Sequence, residues 1–187
     1  MKIRSLVFFL SGILLTGCVA AVVAGAAAGL VVYDKRSVVM IENDARIFHK
    51  VHSAIVKDPR FHDSRIIVSS FNRVVLLVGQ TPAASLRVVA EKIAQKTPGV
   101  RRVYDEVSVD YPVPIAQRTQ DTWITSQVRS LMLTQKGLSS GSIRVVTEKS
   151  VVYLMGIVTH EQANLAVHVA RQIDGVHKVV KVFQYIA

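Results

Sequence analysis

The strongest constraint in this sequence is an internal repeat. Residues 44–79 match residues 121–156 without a gap when the chain is slid along itself by 77 positions. The match continues at an offset of 76, as one deleted residue in a strand-to-helix loop would cause. The pairs include Asp44 with Asp121, Ile47 with Ile124, Val51 with Val128, Leu77 with Leu154, Gly79 with Gly156 and Gly99 with Gly175. A repeat of this length indicates two copies of one small domain.

Each copy has the same predicted order of elements, α-β-β-α-β. A helix with Asp44 or Asp121 as its N-cap comes first. Two β-rich runs follow, joined by short polar turns at residues 71–72 and 148–149. A second helix and a third strand complete the copy. Because a β-α-β crossover is right-handed, we expect an α+β fold in which each copy is a three-stranded mixed sheet with two helices on one face.

The second helix of each copy has its own start and stop signals. It is predicted to begin at Thr81-Pro82 in the first copy, and at Thr159 in the second, where Gln162 completes a capping box. Four glycines are predicted to be structural: Gly99 and Gly175 as left-handed residues at helix ends, and Gly79 and Gly156 at bends where a strand leaves for a helix.

These signals divide the chain into five segments. Residues 1–17 are predicted to be a signal peptide, 18–41 a lipidated segment rich in Ala and Gly, 42–110 the first domain, 111–119 a linker, and 120–187 the second domain. The linker region YPVPIAQRTQ contains Pro112 and Pro114 and is predicted to be stiff and extended.

The first 18 residues are typical of an exported lipoprotein, with basic residues, an apolar run and small residues before Cys18. The letters LTGC resemble the bacterial lipobox, in which the Cys18 thiol receives a diacylglyceryl group and the new N-terminus an acyl chain. No cofactor beyond this covalent lipid is predicted. Val19, where an Asp would retain the protein in the inner membrane, favours the outer membrane, with the anchor in the inner leaflet facing the periplasm. The alternative is an uncleaved signal anchor, because apolar residues continue to Val32.

The charge of the chain favours an acidic partner. The net charge is +10, of which Lys2 and Arg4 leave with the signal peptide. For an exported protein the nearest acidic partners are anionic phospholipid membranes and the cell wall. Nucleic acid is not expected, because the aromatic residues are not arranged as stacking platforms, and no small-molecule substrate is expected either.

The only Trp of the chain lies in the predicted helix DTWITSQVRSLML. Trp123 falls at the margin of the apolar stripe on a helical wheel. The first copy has Arg46 at the same place, so the fold itself does not require a Trp. The stripe predicted to face the core holds Ile124, Val128, Leu131 and Met132. The second copy is therefore predicted to use Trp123 for a task of its own.

A ring with an apolar body and one N–H donor suits the boundary between membrane and water. Leu133 is predicted to insert beside Trp123, while Arg129 and Lys136 meet lipid phosphates. The alternative is that the ring folds back over the domain edge or seals against the first domain. The predicted phospholipid-binding face consists of Trp123, Ser126, Gln127, Arg129, Ser130, Leu133 and Lys136.

Both copies have a Gly after a β run and a Gly-Val pair opening the last strand, and the second copy adds DTWIT, VRS, LMG and VT. In these motifs the chain resembles BON domains, and in their pairing behind a lipobox it resembles the outer-membrane lipoproteins that carry two. The resemblance implies that the second domain binds anionic phospholipid through Trp123 and Leu133, supports outer-membrane integrity and reaches division sites. Family members have a Lys where this chain has Gln127, which implies one phosphate contact fewer.

Two other classes of partner stay open. The chain is also compatible with a periplasmic adaptor that binds envelope proteins, such as the outer-membrane assembly machinery or regulators of cell-wall hydrolases, and with peptidoglycan binding. No metal site is predicted, because His49 and His52 share a helical face without a third ligand. No enzymatic activity is predicted either, since no nucleophile and base lie on adjacent elements and Cys18 is consumed by its lipid.

Overall fold

The computed structural model describes residues 36–187. The predicted signal peptide, the lipid-attachment residue Cys18 and residues 19–35 lie outside the described residues. Residues 36–187 form one compact unit with its own hydrophobic cores. We therefore use this unit for the solution experiments proposed below. None of its helices is long and apolar enough to cross a membrane.

The first copy consists of helix α1 (Val38–Val56), strands β1 (Arg65–Phe71) and β2 (Val74–Thr81), helix α2 (Ala84–Lys96) and strand β3 (Arg102–Val109). Strand β2 is central, antiparallel to β1 and parallel to β3. A single 3-10 turn, Pro59–Phe61, connects α1 to β1.

The second copy repeats this plan with helix α3 (Ile115–Thr134), strands β4 (Ile143–Glu148) and β5 (Val151–Val158), helix α4 (His160–Arg171) and strand β6 (Lys178–Tyr185). Its sheet has β5 in the centre, with β4 antiparallel and β6 parallel to it. The predicted α+β fold of two three-stranded mixed sheets is therefore confirmed.

The central strands are apolar on both faces, and each face packs against a different layer. In β2, Val75 and Leu77 join the core beneath α1 and α2, whereas Leu76 and Val78 point to the other side of the sheet. There they meet outward-facing residues of the second sheet. This third core, shared by the two copies, contains Phe71, Val74, Leu76, Val78, Tyr153, Met155 and Val182. The sheets thus pack back to back, with a pair of helices on each outer side.

A buried polar network crosses the same interface. The Gln80 side chain is fully buried; its amide nitrogen donates to Glu148 at 2.7 Å, and its oxygen accepts from the backbone N–H of Val113 at 3.1 Å. Arg65 donates to the other Glu148 oxygen at 2.6 Å. Burial, assisted by the nearby negative charges of Glu106 and Glu148, raises the pKa of Tyr153 to about 12. The buried carboxylate of Glu148 is therefore paired across the interface.

The prediction that Asp44 and Asp121 cap helices is wrong. Both lie in the middle of long helices and are buried. Asp121 accepts from the backbone N–H groups of Lys149 and Ser150 at 2.9 and 2.8 Å, and these two residues have φ of 51° and 61°. Non-glycine residues rarely adopt this left-handed conformation, so the carboxylate stabilises a strained hairpin turn that begins one residue later than predicted.

Three further predictions concern how helices begin. The capping box of Thr159 and Gln162 is confirmed. Thr81 does not cap α2, because it is the last residue of β2 and the helix starts after Ala83. The extended linker is shorter than predicted, since α3 begins at Ile115, directly after Pro114.

Gly79 and Gly156 lie inside β2 and β5 rather than where the strands end. A Cβ at Gly79 would stand 1.9 Å from the backbone oxygen of Arg65, and Gly79 has φ of 134°. A close approach of the neighbouring strand is therefore what requires glycine here. Gly99 and Gly175 have φ of 96° and 84° and lie in the loops that follow α2 and α4.

Candidate functional site

The rotation of α3 about its axis is fixed by what it buries. Ile124, Val128 and Met132 are buried against the second sheet, and Asp121 is tied to the β4–β5 turn. Thr125 adds a 2.7 Å hydrogen bond between its hydroxyl and that of Thr147. The opposite side of the helix must therefore face solvent.

All seven residues of the predicted phospholipid-binding face are exposed. Leu133 is 67% exposed and Trp123 is 48% exposed. The Trp123 ring is therefore not sealed against the first domain, which is one of the two alternatives to membrane docking. The other alternative, a ring folded back over the edge of its own domain, is compatible with half exposure. Exposed apolar side chains that are grouped on one helix face, rather than scattered singly, are typical of an interaction surface.

Two apolar residues of α3 differ from the sequence prediction. Leu131 was assigned to the core but is 39% exposed, because it lies at the edge of the stripe, about 80° from Trp123 on the wheel. Ile115 was assigned to the linker and overlooked, yet it is 76% exposed on the first turn of α3. The signal for it was Pro114, since proline is common at helix starts.

Ile115 and Leu133 lie on the same side of α3, because 18 residues make about five full turns. The helix rises about 27 Å between them. Trp123 lies between the two along the axis and about 80° around the helix from both. The three apolar groups therefore share a broad side of α3 over most of its length.

The exposed charged groups on this face are all positive. The only carboxylate of α3 belongs to Asp121, which is buried and bonded to the turn. Arg129 and Lys136 are exposed. One Arg129 nitrogen donates to the backbone oxygen of Val145 at 3.2 Å, which leaves most of its donors directed to solvent. The face is cationic, without an exposed acid on the helix to offset it.

The first copy provides an internal comparison. At the position of Trp123, α1 has Arg46, which pairs with Glu42 at 2.8 Å. Val56, at the position of Leu133, is also exposed. The outer face of α1 thus carries an ion pair where α3 carries an indole. Exposed Lys50 stands at the position of Gln127, so the two faces differ in the aromatic ring rather than in the presence of a cation.

His49 and His52 flank the ring of Phe48 edge-on, at centroid distances of 5.2 and 5.3 Å. Within residues 36–187 no group of three or more His, Cys, Asp or Glu side chains is placed to hold a metal ion.

Two αββαβ domains in tandem, packed through their sheets, define the class of the protein by its fold. The BON-domain family model matches residues 43–111 and 120–187, so the chain belongs to the BON-domain family. It is 38% identical, over 93% of its length and 91% of the relative's, to the outer membrane lipoprotein DolP of Haemophilus influenzae. The dual-BON lipoprotein prediction and the outer-membrane localisation are thereby confirmed.

Two further proteins show more distant similarity. The 21 kDa hemolysin of Actinobacillus pleuropneumoniae is 32% identical over 82% of this chain and 79% of its own. Among solved structures, the C-terminal domain of CdsD, a structural protein of the type III secretion system of Chlamydia trachomatis, aligns with 75% of this chain and 98% of its own, at 14% identity and a TM-score of 0.28.

Proposed function

We propose that the outer face of α3 docks on anionic phospholipid, and that the protein is a non-enzymatic support of outer-membrane integrity that gathers where such lipid is enriched, as at division sites. The observation that carries this proposal is the exposure of Trp123 and Leu133 beside Arg129 on a helix face without a free carboxylate.

The side chains suit the interface of a bilayer. The indole body enters the acyl boundary while its N–H stays in water, and Leu133 is buried beside it. Arg129 and Lys136 gain about 1 kcal/mol each near an anionic surface. This sum is a modest affinity. The predicted lipid on Cys18 already holds the protein at the membrane, so docking is effectively intramolecular.

The spread of Ile115, Trp123 and Leu133 along α3 determines the orientation. A helix with apolar residues at both ends and in the middle of one side buries all of them only when its axis lies parallel to the membrane plane. Docking through α3 is therefore expected to be flat, with the β-sheets stacked above it.

Replacing Trp123 by alanine is expected to weaken binding of the 36–187 unit to phosphatidylglycerol vesicles about ten-fold. This loss corresponds to about 1.4 kcal/mol, roughly half of what complete burial of a large apolar side chain contributes. Co-sedimentation with the vesicles measures this. Val56→Ala is the matched control, because it removes an exposed apolar side chain at the equivalent of Leu133 in the first copy.

Lipid charge and salt separate this proposal from a protein adaptor or a peptidoglycan binder. The 36–187 unit is expected to bind phosphatidylcholine vesicles weakly. Ionic strength of about 1 M, where the Debye length is about 3 Å, is expected to release much of the phosphatidylglycerol binding. Equal binding of Trp123→Ala and the parent, or indifference to lipid charge, contradicts the proposal and redirects the α3 face to a protein or to the cell wall.

A further inference from the structure

A second candidate site lies away from α3, at the seam between the two sheets. A cleft of about 480 Å³ opens between the start of β3 and the end of β6. This volume is within the range of small-ligand sites. Its lining comes from both copies: Val74, Arg101, Arg102, Tyr104, Phe183, Gln184 and Tyr185.

The polar groups at the cleft are mostly hydrogen-bond donors. Arg101 donates to the side-chain oxygen of Gln184, which also accepts from Asn72 at 2.8 Å. Arg102 donates to the hydroxyl of Tyr104 at 3.2 Å. Among residues 36–187, neither guanidinium forms an ion pair with a carboxylate. Each arginine has five N–H donors, so both keep donors available for a ligand.

The rest of the lining is apolar or aromatic. Val74 and Phe183 are buried beneath the cleft, and the rings of Tyr104 and Tyr185 stand at its sides. Tyr185 stacks on His160 at 4.1 Å between ring centroids, nearly parallel, which holds its ring in place. The cleft thus offers a fixed apolar wall next to two cations.

We infer that this cleft binds a phosphate ester with an apolar or ring-shaped body. Two guanidinium groups from consecutive residues lining one cleft present more donors than one carboxylate accepts, whereas a phosphate group has enough oxygens for both. The body of the ligand covers the aromatic wall. The same chemistry occurs in a lipid head group with short chains and in a soluble phosphate ester, and the inference does not depend on membrane docking by α3.

The second copy again serves as a comparison. At the positions of Arg101, Arg102 and Tyr104 it has His177, Lys178 and Val180. The common fold therefore does not require two arginines and a tyrosine there. Their presence in the first copy only is consistent with a ligand that one cleft binds.

The test is a titration of the ¹⁵N-labelled 36–187 unit, followed by NMR, with three probes: inorganic phosphate, phenyl phosphate, and dihexanoyl phosphatidylglycerol below its micellar concentration. Phenyl phosphate is expected to shift the amide signals of Arg102, Tyr104 and Gln184 and to bind more tightly than inorganic phosphate. The double variant Arg101→Gln, Arg102→Gln is expected to weaken it at least ten-fold, as the loss of charged hydrogen bonds implies.

The matched control is the double variant His177→Gln, Lys178→Gln, which changes the equivalent positions outside the cleft and is expected to bind phenyl phosphate like the parent. Shifts from dihexanoyl phosphatidylglycerol at the cleft identify a lipid head group as the source, and shifts from phenyl phosphate alone identify a soluble ester. Absence of amide shifts at the cleft with every probe overturns the inference. Equal weakening of phenyl phosphate binding in both double variants also overturns it, because that result indicates a general effect of charge. Shifts confined to Trp123 and its neighbours with the lipid probe also overturn it, while leaving the α3 proposal intact.

Discussion

Replacing Asp44 by alanine is expected to lower the free energy of unfolding of the 36–187 unit by about 3–5 kcal/mol, the usual effect of breaking a buried ion pair from one side. The Asp44 carboxylate accepts from the backbone N–H groups of Asn72 and Arg73 at 2.6 and 2.8 Å, and from Arg36 at 2.5 Å. The side chains of Asp44 and Arg36 are both almost completely buried. Alanine leaves these donors without their acceptor and releases a turn whose two residues have positive φ.

Urea unfolding followed by far-UV circular dichroism measures this loss. Asp63→Ala is the control, because Asp63 is exposed and pairs only with an exposed His62; it is expected to change stability by less than about 0.5 kcal/mol. A loss of under about 1 kcal/mol in Asp44→Ala is below the cost of one unsatisfied buried group. That result would contradict the role of Asp44 as the anchor of the turn.

Replacing Glu148 by alanine is expected to loosen the two copies from each other. The buried Glu148 carboxylate is the acceptor for both Arg65 and Gln80 of the first copy, so its loss leaves a fully buried amide and a cation unpaired. We expect a loss of about 3–5 kcal/mol. We also expect the single unfolding transition to separate into two, since each copy alone has a small core.

Trp123 makes this test specific, because the chain has one Trp and it belongs to the second copy. Its fluorescence reports on that copy, whereas circular dichroism reports on both. The two signals are expected to coincide in the parent and to diverge in Glu148→Ala. Glu42→Ala, which removes an exposed carboxylate of α1, is the control. Coincident transitions in Glu148→Ala would show that the apolar interface alone couples the copies.

The fold could be predicted because its signals are local and occur twice. Strand and helix periodicity, the Thr159 capping box and the conserved spacing of the two copies all depend on residues near one another in sequence. The role of Asp121 could not be predicted in the same way. An acidic residue within a helical pattern resembles an N-cap, and its actual partners, Lys149 and Ser150, come 28 and 29 positions later.

The outer face of α3 was predictable from the wheel, except at its edges. Leu131 lies where a shift of a few degrees decides between core and solvent, and Ile115 was hidden by two prolines that suggested an extended linker.

The interface between the sheets has one signal in the sequence, which helix or strand periodicity alone does not explain. The run Val74–Val78 is apolar at every position, which is typical of a strand covered on both faces. The cleft has no such signal in the sequence, because residues that meet there, such as Arg101 and Gln184, are 83 positions apart.

Back-to-back packing of the sheets directs the two helix pairs away from each other. In the docking proposed for α3, α1 is on the far side of the molecule, turned away from the bilayer. Its ion pair of Glu42 and Arg46 and the exposed Val56 stay accessible there. Docking of the second copy, as proposed, therefore leaves the outer helix face of the first copy uncovered.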